Sequence, residues 1–189
     1  TLSATDVEMS AEAFIGADFV IAQLEVPFEA IEQAFKIARK QNITTVLNPA
    51  PAIELPKSLL ELTDIIIPNE TEAELLTGIS INNESDMKET ATYFLDLGIS
   101  AVLITLGEQG TYCAYQEQYK MIPACNVKAV DTTAAGDTFI GAFLSELNKD
   151  LSNLESAIRL ANQASSLTVQ RKGAQASIPT RKEVEAEYN

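Results

Sequence analysis

Val130-Asp131-Thr132-Thr133-Ala134-Ala135-Gly136-Asp137-Thr138-Phe139-Ile140-Gly141-Ala142-Phe143 is the stretch on which the reading of this chain turns. It leaves an apolar run at 127–130, turns through small residues, and enters an amphipathic pattern that continues to about Leu147. The expectation is strand, turn, helix. Small side chains at Ala134, Ala135 and Gly136 would let a ligand approach the backbone, with their N–H groups at the first helical turn. Those donors have no partner within a helix and the helix dipole adds positive potential, so the turn suits a phosphate. Asp137 would repel such an anion unless its task is to take a proton from an incoming nucleophile. An anion cradle beside a base points to phosphoryl transfer to a hydroxyl, with Asp137 as general base. On residue types alone, the same stretch also reads as an ordinary N-capped helix.

The length of 189 residues fits one domain, and 46% hydrophobic with 21% charged residues describes a soluble, globular chain. A formal net charge of −14 argues against nucleic acid and anionic membrane surfaces as partners. A nucleotide would have to be held by local donors and cations, against that field. Cys113 and Cys125 are too few for a disulfide framework, suit a reducing cytoplasm, and read as core fillers. Histidine does not occur, which excludes Ser-His-Asp and Cys-His nucleophile systems and His-ligated zinc. No apolar run reaches membrane-spanning length, and no charged-then-apolar signal opens the chain. It begins Thr1-Leu2-Ser3-Ala4 without a methionine, from which a cut protein is expected. Neither Gly-x-Gly-x-x-Gly after a strand nor Gly-x-x-x-x-Gly-Lys-Ser/Thr is present, so a dinucleotide Rossmann domain and a P-loop enzyme fit poorly.

Ser3 or Thr5 can cap a short helix through Val7, Met9 and Phe14, ending near Gly16. Residues 18–24 form a strand apolar enough to be buried on both faces. Glu25 at its end reads as a helix-start acid beside Pro27, or as a substrate ligand at the carboxyl end of a parallel strand. A helix over 28–40 and a strand over 44–47 lead into Asn48-Pro49-Ala50-Pro51-Ala52, a rigid loop. The strand at 64–67 ends in Pro68-Asn69-Glu70-Thr71-Glu72, where Asn69 and Glu72 share a helix face. Acids there complement the helix dipole, or supply oxygen to a hydrated hard cation. A helix at 83–97 and a strand at 100–104 precede Thr105-Leu106-Gly107-Glu108-Gln109-Gly110, whose glycines permit a tight turn close to a ligand. A hairpin (111–115 with 119–122), a helix at 154–169, a loop at 171–179 and a helix at 181–188 complete the pattern. Alternating strands and helices give an α/β fold, a doubly wound, mostly parallel sheet flanked by helices.

Gln23-Leu24-Glu25, the Asn-Pro-Ala-Pro-Ala loop, Asn69-x-x-Glu72, residues 105–110, the central stretch and residues 171–179 together resemble the ribokinase family of sugar and nucleoside kinases (the phosphofructokinase-B family). The resemblance covers essentially the whole chain. It implies ATP-dependent phosphorylation of D-ribose at the 5-hydroxyl, or of another sugar or a nucleoside. It makes Ala134, Ala135 and Gly136 the anion hole and Asp137 the base, with Asp137 and Glu25 meeting the sugar. It implies that Asn69 and Glu72 organise magnesium, its waters and the phosphates. Thr105, Leu106, Gly107, Glu108, Gln109 and Gly110 would lie along the nucleotide with Gly136 and Asp137, and Asn162 would face adenine. Oxygens of Asp131, Thr133, Thr168, Arg171, Gly173 and Ser177 would enclose potassium. A cytoplasmic homodimer is implied for the full-length protein, with no nucleic-acid or membrane partner. The family's N-terminal strands, lid sheet and Gly-Gly substrate motif find no counterpart in the sequence. Residues 1–189 are therefore expected to be the C-terminal, nucleotide-binding part, its sheet incomplete at the N-terminal side. A non-catalytic nucleotide-binding fragment or remnant is the alternative.

Overall fold

The structure, a computed structural model, describes residues 2–188. They group into two compact units: one runs to Thr105 and includes Tyr112–Lys120, and the other comprises Leu106–Thr111 and the chain from Met121 onward.

In the first unit, α1 (Ala4–Met9) opens with a capping box, since the Ser3 hydroxyl accepts from Asp6 N–H while the Asp6 carboxylate accepts from Ser3 N–H. The expected single helix to Gly16 does not form. Ser10 donates its hydroxyl back to the Asp6 carbonyl at 2.9 Å, the local competition by which serine ends a helix, and a separate 3-10 turn follows at Ala11–Phe14. Strands β1 (Phe19–Ala22), β2 (Thr44–Leu47), β3 (Ile65–Ile66) and β4 (Ala101–Thr105) pair in parallel, with Phe19 opposite Thr44, Val46 opposite Ile65 and Ile66 opposite Val102. With β5 (Thr111–Tyr115) and β6 (Gln118–Ile122) they make a six-stranded sheet in the order β1-β2-β3-β4-β5-β6. Gln116 and Glu117 join β5 to β6 at φ 49° and 62°, the two-residue geometry that returns a strand antiparallel to its neighbour. Helices α2 (Phe28–Lys40), α3 (Lys57–Leu60), α4 (Glu70–Thr77) and α5 (Glu84–Asp96) lie in the parallel crossovers. The sheet flanked by helices is the α/β architecture expected, with α3 an unanticipated addition.

Strands β2 to β4 are buried on both faces, and Phe35 of α2 and Phe94 of α5 are fully buried; each such ring contributes about 1.5–3 kcal/mol of transfer energy. Val7 packs with Ala30 and Ile37, so α1 covers α2. β1 corrects an expectation. It stands at the end of the strand order with β2 alone beside it, and Ile21 is 44% exposed rather than buried.

In the second unit, α6 (Ala135–Glu146) packs on α7 (Leu154–Thr168), and α7 on α8 (Arg181–Tyr188). Ala164, Leu167 and Val184 form a core, with Ala142, Leu160 and Tyr188 against it. The strand expected at 127–130 is absent. Val130 and Asp131 both donate their N–H to the Val169 carbonyl (2.7 and 3.1 Å), so this segment is pinned to the end of α7 instead of to a sheet neighbour.

Candidate active site

In the first unit the parallel strands bring their carboxyl ends, and the expected residues, to one edge. β1 runs into Gln23-Leu24-Glu25, where Leu24 is buried and Glu25 exposed. Pro27 then serves as N-cap of α2, one place ahead of the expected first turn. β3 runs into Asn69, the N-cap of α4. Asn69 Oδ1 accepts from Glu72 N–H at 2.9 Å, and the Glu72 carboxylate accepts from Asn69 N–H (2.8 Å) and Nδ2 (2.9 Å). Burial raises the Glu72 pKa, while the hydrogen bond from the Asn69 backbone opposes that rise. Thr105 closes the edge, donating its N–H to the Pro68 carbonyl at 2.9 Å and bridging to Asn69.

In the second unit, residues 106–110 curl into one tight turn. Leu106 N–H bonds to Gly110 O (2.8 Å), and Gly107–Gln109 forms a 3-10 turn. Gly110 sits at φ 109°, and a Cβ there would fall 2.2 Å from Ile122 O and 2.5 Å from Ala124 N. Its glycine makes room for the protein's own backbone at 122–124 rather than for a ligand. Asn162 differs from expectation in the same way. Buried, it accepts from Thr111 Oγ1 (2.9 Å) and donates to the carbonyls of Ile122 (3.0 Å) and Pro123 (3.2 Å). Both amide hydrogens are spent inside the protein, and the side chain holds the 122–123 segment. The Thr111 partner was not legible, because the two residues lie far apart in sequence.

The central turn is built around a left-handed Ala134 (φ 62°, ψ 12°), the N-cap of α6, with no side-chain cap. The ordinary capped helix is therefore not what forms. A left-handed residue followed by a helical one gathers successive N–H groups into a concavity suited to an anion. Of the three expected donors, Ala135 already bonds to Thr132 O at 3.2 Å. The amides of Ala134 and Gly136 have no acceptor among the described residues. The start of α6 is fastened to α7 by Ser165 Oγ to Ala135 O (2.8 Å) and Thr168 Oγ1 to Thr138 Oγ1 (3.0 Å). Asp137, exposed at this start, borders a cavity of about 290 Å³ lined also by Gly141, Ser145, Leu160, Ile178 and Arg181. The small residues at 141 and 145, one and two helical turns beyond Asp137, were the sequence signal for this space.

Asp131 ties the turn to the following loop, accepting from Thr133 N–H and Gly173 N–H, both at 3.0 Å. Hydrogen bonds from the Thr133 side chain, Gly173 and the Thr133 backbone hold its carboxyl down at about 2. Arg171 pairs with Glu183 at 2.8 Å, fixing the loop to α8. Asp131, Thr133 and Gly173 are thus together. The hydroxyls of Thr168 and Ser177 donate to Thr138 Oγ1 (3.0 Å) and to the Ala174 carbonyl (2.6 Å). Among the described residues, no group of three or more acidic, Cys or His side chains could hold a metal ion.

A profile of the pfkB family carbohydrate kinases matches residues 6–181. The chain is 61% identical over 184 residues to the ribokinase of Staphylococcus aureus, covering 97% of this chain and 60% of that protein. It is 35% identical over 180 residues to the deoxyribokinase of Salmonella typhi, covering 95% of this chain and 58% of that one. The structure of Arabidopsis thaliana ribokinase complexed with ribose and ATP superposes with a TM-score of 0.88 at 32% identity, over 95% of this chain and 58% of that chain. The chain spans about three fifths of the length of these relatives.

Proposed function

The chain belongs to the pfkB family of carbohydrate kinases, and from that premise we propose that the protein carrying it transfers the γ-phosphoryl group of ATP to the 5-hydroxyl of ribose. The observation that carries the reading is the turn into α6: unclaimed amides at Ala134 and Gly136 with the Asp137 carboxylate next in sequence. Asp137 takes the proton from the sugar hydroxyl as the new O–P bond forms and the bond to the ADP leaving group breaks. The Ala134 and Gly136 N–H groups face the charge that develops on the transferring phosphoryl oxygens. Glu25 accepts hydrogen bonds from the sugar hydroxyls. Asn162 contributes by holding the 122–123 segment.

Magnesium, when bound, offsets phosphate charge. Both Glu72 oxygens already accept from Asn69, so this pair fits a cation held through its water shell rather than by direct ligation. Potassium suits the 131–133 and 171–177 segments. These segments offer backbone carbonyl oxygen and the Asp131 carboxylate, and the Thr168 and Ser177 hydroxyls, which donate their hydrogens to other groups, keep oxygen lone pairs that such an ion accepts. Neither Cys113 nor Cys125 is in a disulfide, in keeping with the reducing cytoplasm we propose.

Ribose is favoured over deoxyribose by the 61% identity to a ribokinase against 35% to a deoxyribokinase. The test is ADP release by the intact protein supplied with ribose, ATP and magnesium, with the product identified by phosphorus NMR. Ribose 5-phosphate is expected, formed faster in potassium than in sodium at equal ionic strength. Absence of ribose phosphorylation overturns the proposal.

A further inference from the structure

The sheet opens at the end of β2, and one residue there bonds to both neighbouring strands. The parallel ladder runs regularly as far as Ile67 N–H to Leu47 O (2.9 Å) and Asn48 N–H to Ala22 O (3.0 Å). The next rung towards β3 would be donated by residue 49, which is proline and has no N–H. The next rung from β1 would join Leu24 N–H to Asn48 O, but Leu24 bonds to Ala50 O at 2.7 Å instead. Both ladders fail at the same place. The Asn48 side chain stands in for each: Nδ2 donates to Ile67 O at 2.7 Å, and Oδ1 accepts from Gln23 Nε2 at 2.8 Å. Ile67 O can only accept, so the carboxamide has one orientation. Asn48 is 9% exposed, and its partners lie two residues before Glu25 and two before Asn69.

We infer that Asn48 is a positioning residue, setting the Glu25 turn and the Asn69–Glu72 cap at a fixed separation where the strands part. This rests on the reading in which Glu25 meets the sugar and Asn69–Glu72 the cation of the nucleotide. A residue that only stabilised the fold would be replaceable by any change restoring stability. A positioning residue gives separate signatures on its two sides.

In the intact protein, Asn48→Ala is expected to raise KM for ribose and for MgATP by at least about fivefold each, the scale of one lost hydrogen bond. Amide exchange at residues 24–26 and 69–72 should accelerate at least about tenfold, with β2 unchanged. Adding Pro49→Ala returns an N–H at residue 49 that can donate to Ile67 O. The double variant should recover the MgATP constant and the slow exchange at 69–72, but not the ribose constant, because the Asn48 oxygen is still missing. Unchanged exchange in Asn48→Ala, or a double variant that restores both sides or neither, overturns the inference. Exchange is read whether or not the protein phosphorylates ribose, so failure of that activity counts against the function alone. Should Asn48→Ala not fold, Gln23→Met carries the test. It should speed exchange at 24–26 and leave 69–72 native, and native exchange at 24–26 overturns the inference.

Discussion

Asp137 and Asp131 lie six positions apart in the same stretch, and their surroundings differ. Asp137 is exposed on the first turn of α6 beside a cavity, where its carboxylate can meet a substrate hydroxyl. In the intact protein, Asp137→Asn should lower kcat by at least about 10²-fold, the scale of a general base, while ATP binding measured by calorimetry persists. Near-normal turnover in that variant would remove Asp137 from the chemistry. Asp131 instead fastens the turn to the following loop, accepting from Thr133 and Gly173. Its folded pKa, depressed to about 2, lies below the unfolded value of 3.8, so its contribution is complete above the unfolded value and lost as pH falls through about 2. The urea midpoint of the wild type should therefore exceed that of Asp131→Asn at pH 5, and the gap should shrink towards pH 2. A gap that stays constant across this range would show that the Asp131 charge contributes nothing. At this scale the sequence was informative about residue type and silent about direction. Asp137 could be singled out as a candidate, because a carboxylate beside an expected anion cradle needs a chemical reason. The inward direction of Asn162 could not be read, because its carboxamide reads alike facing a ligand or turned inward to Thr111 and Ile122.

Elements whose signals are local were legible almost to the residue. The helix read at 83–97 forms as α5, with Asn83 as its N-cap, and the apolar periods of α2, α5 and α7 end within a residue or two of their readings. Elements defined by a partner were not. Residues 127–130 carry a plausible strand composition, yet Val130 and Asp131 bond to the end of α7, and a strand exists only where another strand receives it. Gly110 shows the same limit. Its need for glycine was visible, but the reason lies in backbone a dozen residues further on. With φ 109° and a virtual Cβ 2.2 Å from Ile122 O, Gly110→Ala should destabilise the protein by at least about 3 kcal/mol, through combined backbone strain and overlap. Gly107→Ala, where a Cβ would meet nothing within 4 Å, is the control, and it should cost about 1 kcal/mol, the penalty of a left-handed alanine. Equal melting temperatures for the two variants would mean that the 122–124 segment yields freely.

Over these 189 residues, charge opposes an anionic ligand. The chain carries 13 basic and 27 acidic residues. Several of its cations are committed to acidic partners, as in Arg39–Asp64, Arg171–Glu183 and Arg181 with Glu146 and Glu185. A net charge of −14 repels an anion at long range, and in the function proposed above capture would rest on short-range donors such as the amides at the start of α6. The two effects respond differently to salt. Exposed charges are screened beyond a Debye length of about 8 Å at physiological ionic strength, whereas hydrogen bonds inside a site are not. Raising ionic strength should therefore speed MgATP association, where proteins that steer a nucleotide with basic surfaces slow down. Stopped-flow binding of a fluorescent ATP analogue to the intact protein measures this directly, with potassium and magnesium held constant and choline chloride varied. A rise of about threefold in the association rate between low and physiological salt is expected, with the dissociation rate nearly unchanged. A falling association rate would mean that a local cluster of cations outweighs the global field and guides the nucleotide in.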